Sequence, residues 1–513
     1  MKTKSFLSRI KQWTQTESPA INNKRLAFDV FQSLPLLLPL PKGEGRGQGE
    51  GSILPPASIW LRLPRIKIPR RQLIFGLCLV IGSFAVLGAV ARNHQKGFVA
   101  HEWGTFTSFQ GSDGVLLNWR PLQTSRLPDF VYNWQNPGFN RQARNAYTLG
   151  KAGMITLQRM ETPVIYFYAD EKQNIDVSVD FPKGVITEWY PQATQIGPST
   201  IPAPAPIAKA DELAHKVGAK SDFSFASLLK NHAAKESRAR WADIEILPKN
   251  ETRDTARSLL QDRSGSHYFA ARDTDSAFIR TDSVGNTNGT PEYEKFIFYR
   301  GVGSFATPLR VTMQADALTI QNTGTESLDH LFVLGLQDGA GKFIPVEKLA
   351  AGEKRIVQVN LTDGISPTKK LSEQLCQNMA ASLVSEGLYE REAQAMVNTW
   401  RDSWFEENGV RVLYTLPRQW TDQTLPLTLD PKPREMVRVM VGRAEVLTPA
   451  IQKKLSDAIA KAEQGDSEAR ATVMAECKKL GRFAEPALQK LMIVGKSNAS
   501  LYSDALKAAN GNS

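Results

Sequence analysis

Cysteine is nearly absent from this chain. Three thiols in 513 residues exclude a disulfide-dense scaffold and a zinc site built on cysteine. Cys78 sits inside an apolar run, so only Cys376 and Cys477 are left, either as one bridge or as two buried thiols. Histidine is scarce too, with six residues in all. Apart from His94, these are His101, His215, His232, His267 and His330, and no two stand at a metal-binding spacing. There is no phosphate loop, no Gly-x-Ser-x-Gly elbow and no His-Glu-x-x-His. Those absences remove familiar solutions to nucleotide binding and hydrolysis, and nothing more, because groups on distant strands leave no local signature.

Beyond the N-terminal part, charge of one sign is also lacking. Residues 1–96 hold 15 Lys+Arg against 4 Asp+Glu, which is the chain's entire net charge of +11, and residues 97–513 carry 48 of each sign. A nucleic-acid partner is therefore not expected, since the basic excess is confined to the leader. Long apolar runs are missing except for one. Leu73 and Ala91 bound nineteen consecutive uncharged residues, about the thickness of a bilayer core. Arg62, Arg65, Lys67, Arg70 and Arg71 precede the run, and only Arg92 and Lys96 follow closely. That asymmetry predicts a single pass through a cytoplasmic membrane, N-terminus inside and the C-terminal body outside. A retained signal-anchor fits the length of the run, and a signal segment cut after Ala91 fits its Ala89-Val90-Ala91 end. Residues 1–72 read as a disordered basic cytoplasmic leader, with a Gly and charge tract over 41–51 that cannot bury a core.

What remains is mostly strand-like. Period-two stretches rich in β-branched and aromatic residues predict a first β block over 97–193, a Pro- and Ala-rich excursion over 194–240 and a second β block over 241–362. Within the second block, 267–280 and 309–320 each read as one strand. A helical hairpin with strands follows over 366–449. Ser366-Pro367 opens it, Gly387 breaks it, and Tyr389, Ala393, Met396, Val397, Trp400 and Trp404 fall on one helical stripe. A small helical tail fills 450–513. The fold class is mainly β with α additions: one or two antiparallel β-sandwich domains, a helical hairpin and an α-helical tail that docks on the β body.

The candidate site residues are few. On a strand, His101 and Glu102 point to opposite faces and share a ligand only across a bulge, for which Gly104 is the marker. The plainer role of His101 is a hydrogen bond under the first turn. Glu102, Glu161 and Glu188 lie near strand ends, where a carboxylate serves as acid, base or cation ligand, or pairs with Arg159 or another arginine. His267, Asp273 and Asp275 suggest a strand entering an Asp-x-Asp turn. Calcium takes six to eight oxygens, so an Asx turn is the simpler account. Arg300 is suited to a carboxylate or phosphate, or to one of the glutamates. A divalent metal on His101, His267, Asp273 and Asp275 is weighed and not favoured. The aromatic residues around Trp400 and Trp404 read as core.

Four stretches together resemble an uncharacterised family of exported bacterial proteins. They are His101 through Ser108 (HEWGTFTS), Arg159 through Tyr168 (RMETPVIYFY), Gly387 through Met396 (GLYEREAQAM) with Thr399 through Phe405, and Val441 through Pro449. The likeness implies a bacterial envelope protein and brings no activity with it. Leu480 through Leu491 looks similar to one HEAT-type repeat, too little for a solenoid. The expected function is a binding or assembly module of the bacterial envelope, its partner an envelope protein or polymer. The alternative is a metal-dependent hydrolase of an envelope polymer, using His101 or His267 with Glu102, Glu161 or Glu188.

Overall fold

The computed structural model describes residues 97–119, 127–133, 156–197, 237–248, 265–282, 291–492 and 498–511. All belong to the second of the two units into which the chain divides, Ala85–Ser513. The leader, the run between Leu73 and Ala91, and most of the 194–240 excursion lie outside the described residues. The expected single-pass placement in a cytoplasmic membrane is corrected: among the described residues no helix is long and apolar enough to cross a membrane. The longest, Thr368–Ser385, has 18 residues and exposes Lys369, Lys370 and Glu373, whereas a span needs about 20 predominantly apolar ones.

The first strands are β1 (Val99–Gly111), β2 (Tyr132–Asn133), β3 (Gln158–Tyr168), β4 (Gln173–Phe181), β5 (Gly184–Tyr190), β6 (Gln195–Gly197), β7 (Ser237–Leu247), β8 (Phe278–Thr281), β9 (Glu292–Glu294) and β10 (Ile297–Gly303). They continue as β11 (Leu309–Gln314), β12 (Ala317–Asn322), β13 (Leu328–Gln337), β14 (Ala340–Leu349), β15 (Lys354–Gln358), β16 (Ser366–Pro367), β17 (Gly409–Leu416), β18 (Leu427–Asp430) and β19 (Glu435–Leu447). The helices are α1 (Thr368–Ser385), α2 (Glu390–Phe405), α3 (Arg418–Thr424), α4 (Pro449–Ala462), α5 (Ser467–Leu480), α6 (Ala484–Leu491) and α7 (Ala499–Asn510). The body is mainly β with helical additions, as the sequence predicts.

Ten strands make one sheet in the order β16-β14-β13-β17-β19-β1-β3-β10-β5-β2. Its centre is covered on both faces, so alternate side chains of one strand serve two cores. In β1, Ala100 and Phe106 enter a core shared with the three-stranded sheet β11-β12-β15 and the six-stranded sheet built on β4 and β7. Trp103, between them, enters a second core with α1 and α2. All 13 residues of β1 are buried, so its polar side chains must find partners inside the protein.

The order also departs from a purely antiparallel sandwich. β1 runs parallel to β19, while β1 with β3 and β17 with β19 are antiparallel. No hairpin joins β1 to β19. Parallel pairing needs a long crossover, and the whole intervening chain supplies it. Opposite Gly104 the β1/β3 register shifts, with Thr162 at φ 47°. A Cβ on Gly104 would lie 3.0 Å from the Cα of Pro163, so the bulge needs glycine there. It turns Glu161 toward the helix-covered face with Val164.

Three local expectations are corrected. Residues 267–280 are not one strand: His267–Arg272 form a 3-10 helix capped by Ser266, and β8 begins only at Phe278. Residues 309–320 are a tight hairpin, β11 and β12, turning at Ala315 with φ 47°. Ser366-Pro367 pairs with Ala340 and Gly341 as β16, and helix α1 starts after it. The tail docks on the body: α4 to α7 enclose a core with Phe109, Leu117, Trp119 and Leu447. Cys376 and Cys477 are both free thiols.

Candidate functional site

Six adjacent strands of the large sheet each place a polar or charged side chain on the helix-covered face, and the register brings these groups side by side. Arg411 of β17 stands opposite Glu445 of β19, Arg443 of β19 opposite Thr107 of β1, and Thr107 opposite Arg159 of β3. Thr105 faces Glu161, and Arg300 of β10 faces Glu188 of β5. A charged stripe therefore crosses the sheet beside an apolar core, with almost no water to screen it.

Contacts within the stripe are tight. Glu161 accepts from Thr107 Oγ1 at 2.7 Å and lies 3.0 Å from Arg159 Nε. Arg300 Nε donates to Glu188 at 2.7 Å. Arg443 donates to Glu445 and to Glu407, each at 2.7 Å. Arg411 is saturated: it donates to Glu445 at 2.9 Å and to the carbonyls of Trp404, Glu407 and Asn408 at 3.0, 2.7 and 2.9 Å. Those carbonyls close the end of α2, so Arg411 also ties off the helix C-terminus.

Three elements close over the stripe. The 3-10 helix brings His267, whose ring centroid is 5.2 Å from that of Trp400 on α2. The loop after α2 brings Glu407. The C-terminal helices bring Arg482, which donates to Glu161 at 3.0 Å and approaches Glu407 at 3.6 Å.

Five arginines (159, 300, 411, 443, 482) thus share four glutamates (161, 188, 407, 445). Burial works to raise the Glu161 pKa, but Arg159 and then Arg482 outweigh it and hold it down at about 2. Glu407, whose side chain is 43% exposed at the edge of the stripe, is likewise held down at about 2, its partial desolvation being outweighed by Arg482, Arg443 and Arg411. Burial, with Arg300 and Arg482 adding to it against Glu161, pulls Arg159 down to about 10. Burial first and Arg300 next push His267 down to about 4, so its imidazole is neutral at physiological pH. Among the described residues, Arg443 Nη1, Arg482 Nε and Nη2 and Trp400 Nε1 are buried without a hydrogen-bond partner. Clustered guanidinium groups with N–H groups left over are suited to an oxyanion.

Four candidates from the sequence, Glu161, Glu188, His267 and Arg300, therefore meet here. His101 does not. It lies on the same face, donating or accepting through Nδ1 with Glu392 at 2.7 Å. Glu392 stands in the first turn of α2, accepts from Tyr168 at 2.6 Å and caps the Tyr389 N–H at 2.9 Å. Glu102 points to the opposite face, into Tyr299 and Arg438 at 2.5 and 2.6 Å. Asp273 and Asp275 are both taken by Arg391, at 2.5 and 2.8 Å. Among the described residues no three His, Cys, Asp or Glu are grouped to hold a metal ion. His215 and His232 lie outside the described residues. Sequence reasoning did not single out Arg411, Arg443, Glu445 or Arg482 as site residues, and it set Glu407 aside with the cluster around Trp400 and Trp404 as core. The available signal was an arginine flanked by apolar strand residues, Val410-Arg411-Val412 and Gly442-Arg443-Ala444, which marks a charge that must be paired inside.

No family model and no curated protein matches the chain. Among solved structures it is similar to a yeast delta-COP-I mu-homology domain, with a TM-score of 0.23 and 8% identity, covering 68% of this chain and 97% of that one. The same yeast domain complexed with a Dsl1 WxWxV peptide gives a TM-score of 0.23 and 7% identity, covering 68% and 98%. At that score neither likeness carries an argument about fold or function.

Proposed function

We propose that the protein is a binding module that holds an oxyanion of its ligand, a carboxylate or phosphate, on the arginine stripe. One observation carries this reading: the guanidinium groups of Arg443 and Arg482 crowd together against Glu407, and among the described residues Arg443 Nη1 and Arg482 Nε are buried without a hydrogen-bond partner. Arginine forks match carboxylate and phosphate oxygens geometrically, and in a dry site such pairs are strong. The hydrolytic alternative draws less support. The imidazole of this centre, His267, has its pKa near 4 and is a weak base at neutral pH.

The test is a thermal-shift and calorimetric titration of the full chain with inorganic phosphate, sulfate and acetate, each against chloride at equal ionic strength. A ligand at about a hundred times its Kd stabilises the folded state by about 2.7 kcal/mol. The expected result is a higher Tm in at least one oxyanion, lost in Arg443→Gln while the circular dichroism spectrum stays folded. Equal Tm values in oxyanion and chloride for the wild-type chain overturn the reading.

A further inference from the structure

Arg482 reaches the stripe from a separate part of the fold. It lies in the 3-10 turn Gly481–Phe483 between α5 and α6, inside a C-terminal group of helices whose core continues into Phe109, Leu117, Trp119 and Leu447 of the body. Gly481 adopts φ 51°, and this left-handed step reverses the chain so that Arg482 and Phe483 both point at the β body. Phe483 stacks on Phe109 with centroids 4.9 Å apart and sits 5.2 Å from Trp119. The guanidinium groups of Arg482 and Arg443 stand over that same Phe483 ring, at 5.0 and 5.6 Å. Both also approach Glu407 Oε2. Two arginines, one from the sheet and one from the tail, are therefore neighbours, and each keeps buried nitrogen atoms with no hydrogen-bond partner among the described residues.

Elsewhere the junction between these helices and the body is partly open. A cleft of about 340 Å³ separates them, walled by Met313, Leu336 and Val359 on one side and Ile451 and Leu480 on the other. Lys479 with Asp338 at 3.3 Å ties its rim, and Lys490 meets Asp113 of the body at 2.7 Å. Such solvent-reached pairs contribute little, which leaves the shared apolar core around Phe483 and the Arg482 contacts to hold the helices in place.

We infer that Arg482 is a ligand-contact residue delivered to the stripe by the C-terminal helices, so that an oxyanion bridged between Arg443 and Arg482 fastens those helices to the β body. This rests on the oxyanion-binding reading above and adds to it the residue that completes the site and the part of the fold that responds. Because the ligand favours the docked arrangement, binding and docking are linked and each strengthens the other.

Amide hydrogen exchange on the full chain, with and without inorganic phosphate, together with phosphate titration, tests it in the wild type, Arg482→Gln and Arg482→Lys. Phosphate is expected to slow exchange in Ser467–Leu480 and Ala484–Leu491 of the wild type by about tenfold or more, as a charge-assisted bond would. Arg482→Gln is expected to bind phosphate about tenfold or more weakly and to lose that protection, with Arg482→Lys in between because it keeps the charge without the fork. Unchanged protection in β3 confirms that each variant is folded. Phosphate bound by Arg482→Gln with wild-type affinity overturns the inference, as does binding to the wild type with no change in the C-terminal helices; either leaves oxyanion binding itself standing. If none of phosphate, sulfate and acetate binds the wild type, the binding reading falls and this inference with it.

Discussion

Glu161→Gln removes one negative charge from the stripe and changes the shape of the side chain very little. Its carboxylate sits between Arg159 and Arg482 at 3.0 Å each and accepts from Thr107. A pKa lowered from 4.5 to about 2 corresponds to about 3 kcal/mol of preference for the charged form, and breaking a buried pair by removing one partner costs a similar amount. The variant should therefore be about 3 kcal/mol less stable than the wild type at pH 7. The sign of the pH dependence follows from the lowered folded-state pKa. The contribution is complete above the unfolded value near 4.5 and is lost as pH falls toward 2, so the deficit shrinks to about half at pH 3. Guanidinium unfolding followed by tryptophan fluorescence at pH 7 and pH 3 measures both. Inorganic phosphate should recover part of the deficit at pH 7 by restoring a negative charge beside Arg159 and Arg482. A deficit below about 1 kcal/mol at pH 7, or one of equal size at both pH values, would refute the claim that Glu161 balances buried cations.

His267 has a folded pKa near 4 against 6.5 when unfolded, so between those values the unfolded chain takes up a proton that the folded chain refuses. Stability then falls as pH drops through that window, by up to about 3 kcal/mol, and His267→Gln should flatten that part of a Tm-against-pH curve. Gly301→Ala would bring a Cβ to 2.3 Å from the Val185 carbonyl oxygen, at the register shift next to Arg300. A loss of about 1–3 kcal/mol is expected, read from unfolding midpoints, and an unaltered midpoint would show that the β5/β10 spacing relaxes. The Cys477 thiol is buried with its pKa pushed up to about 12, so it should resist iodoacetamide at pH 8 in the folded chain and be alkylated only on unfolding, as peptide mass mapping would record.

The elements legible in the sequence are those whose burial follows a simple period. Val177, Val179 and Phe181 are buried and alternate with half-buried Ser178 and Asp180 along β4, and Ala393, Met396, Val397, Trp400 and Trp404 are buried on α2, while Tyr389, at its N-cap, is exposed. The misreadings have local physical causes. At 309–320 the turn Gln314-Ala315-Asp316-Ala317 has no glycine, asparagine or proline, yet Ala315 takes a positive φ, so the usual punctuation is missing. At 267–280 the aromatic run imitates a strand, while Tyr268 packs against Phe296 and Phe298 from a 3-10 helix. The stripe was only half legible. Glu161, Glu188, His267 and Arg300 drew attention by residue type, but their assembly depends on cross-strand register over six strands and on a tail residue far along the chain. Register between strands that are not joined by hairpins has no local signature.

A second buried arginine on the same sheet shows why charge burial alone does not define the site. On the opposite face, Arg438 donates Nε to Glu102 at 2.6 Å, Nη1 to Asp422 at 2.7 Å and the Nη2 group to the Leu425 carbonyl at 2.7 Å. Burial works against its charge, but Glu102 outweighs it and raises the pKa. Every nitrogen is used, and nothing is left over for a ligand. Arg443 also has a raised pKa, held by Glu407 and Glu445 against burial, yet among the described residues its Nη1 has no hydrogen-bond partner. Since apolar residues can often replace a buried ion pair without loss, an unsatisfied network is poorly explained by stability and well explained by a ligand. The contrast is testable. Arg438→Met strands Glu102 and should cost about 3 kcal/mol or more while leaving the oxyanion-induced Tm rise unchanged. Arg443→Met should remove that rise. If Arg438→Met abolished the oxyanion response in a folded protein, the two networks would be coupled through the sheet, and the assignment of the ligand to the Arg443 face would be wrong.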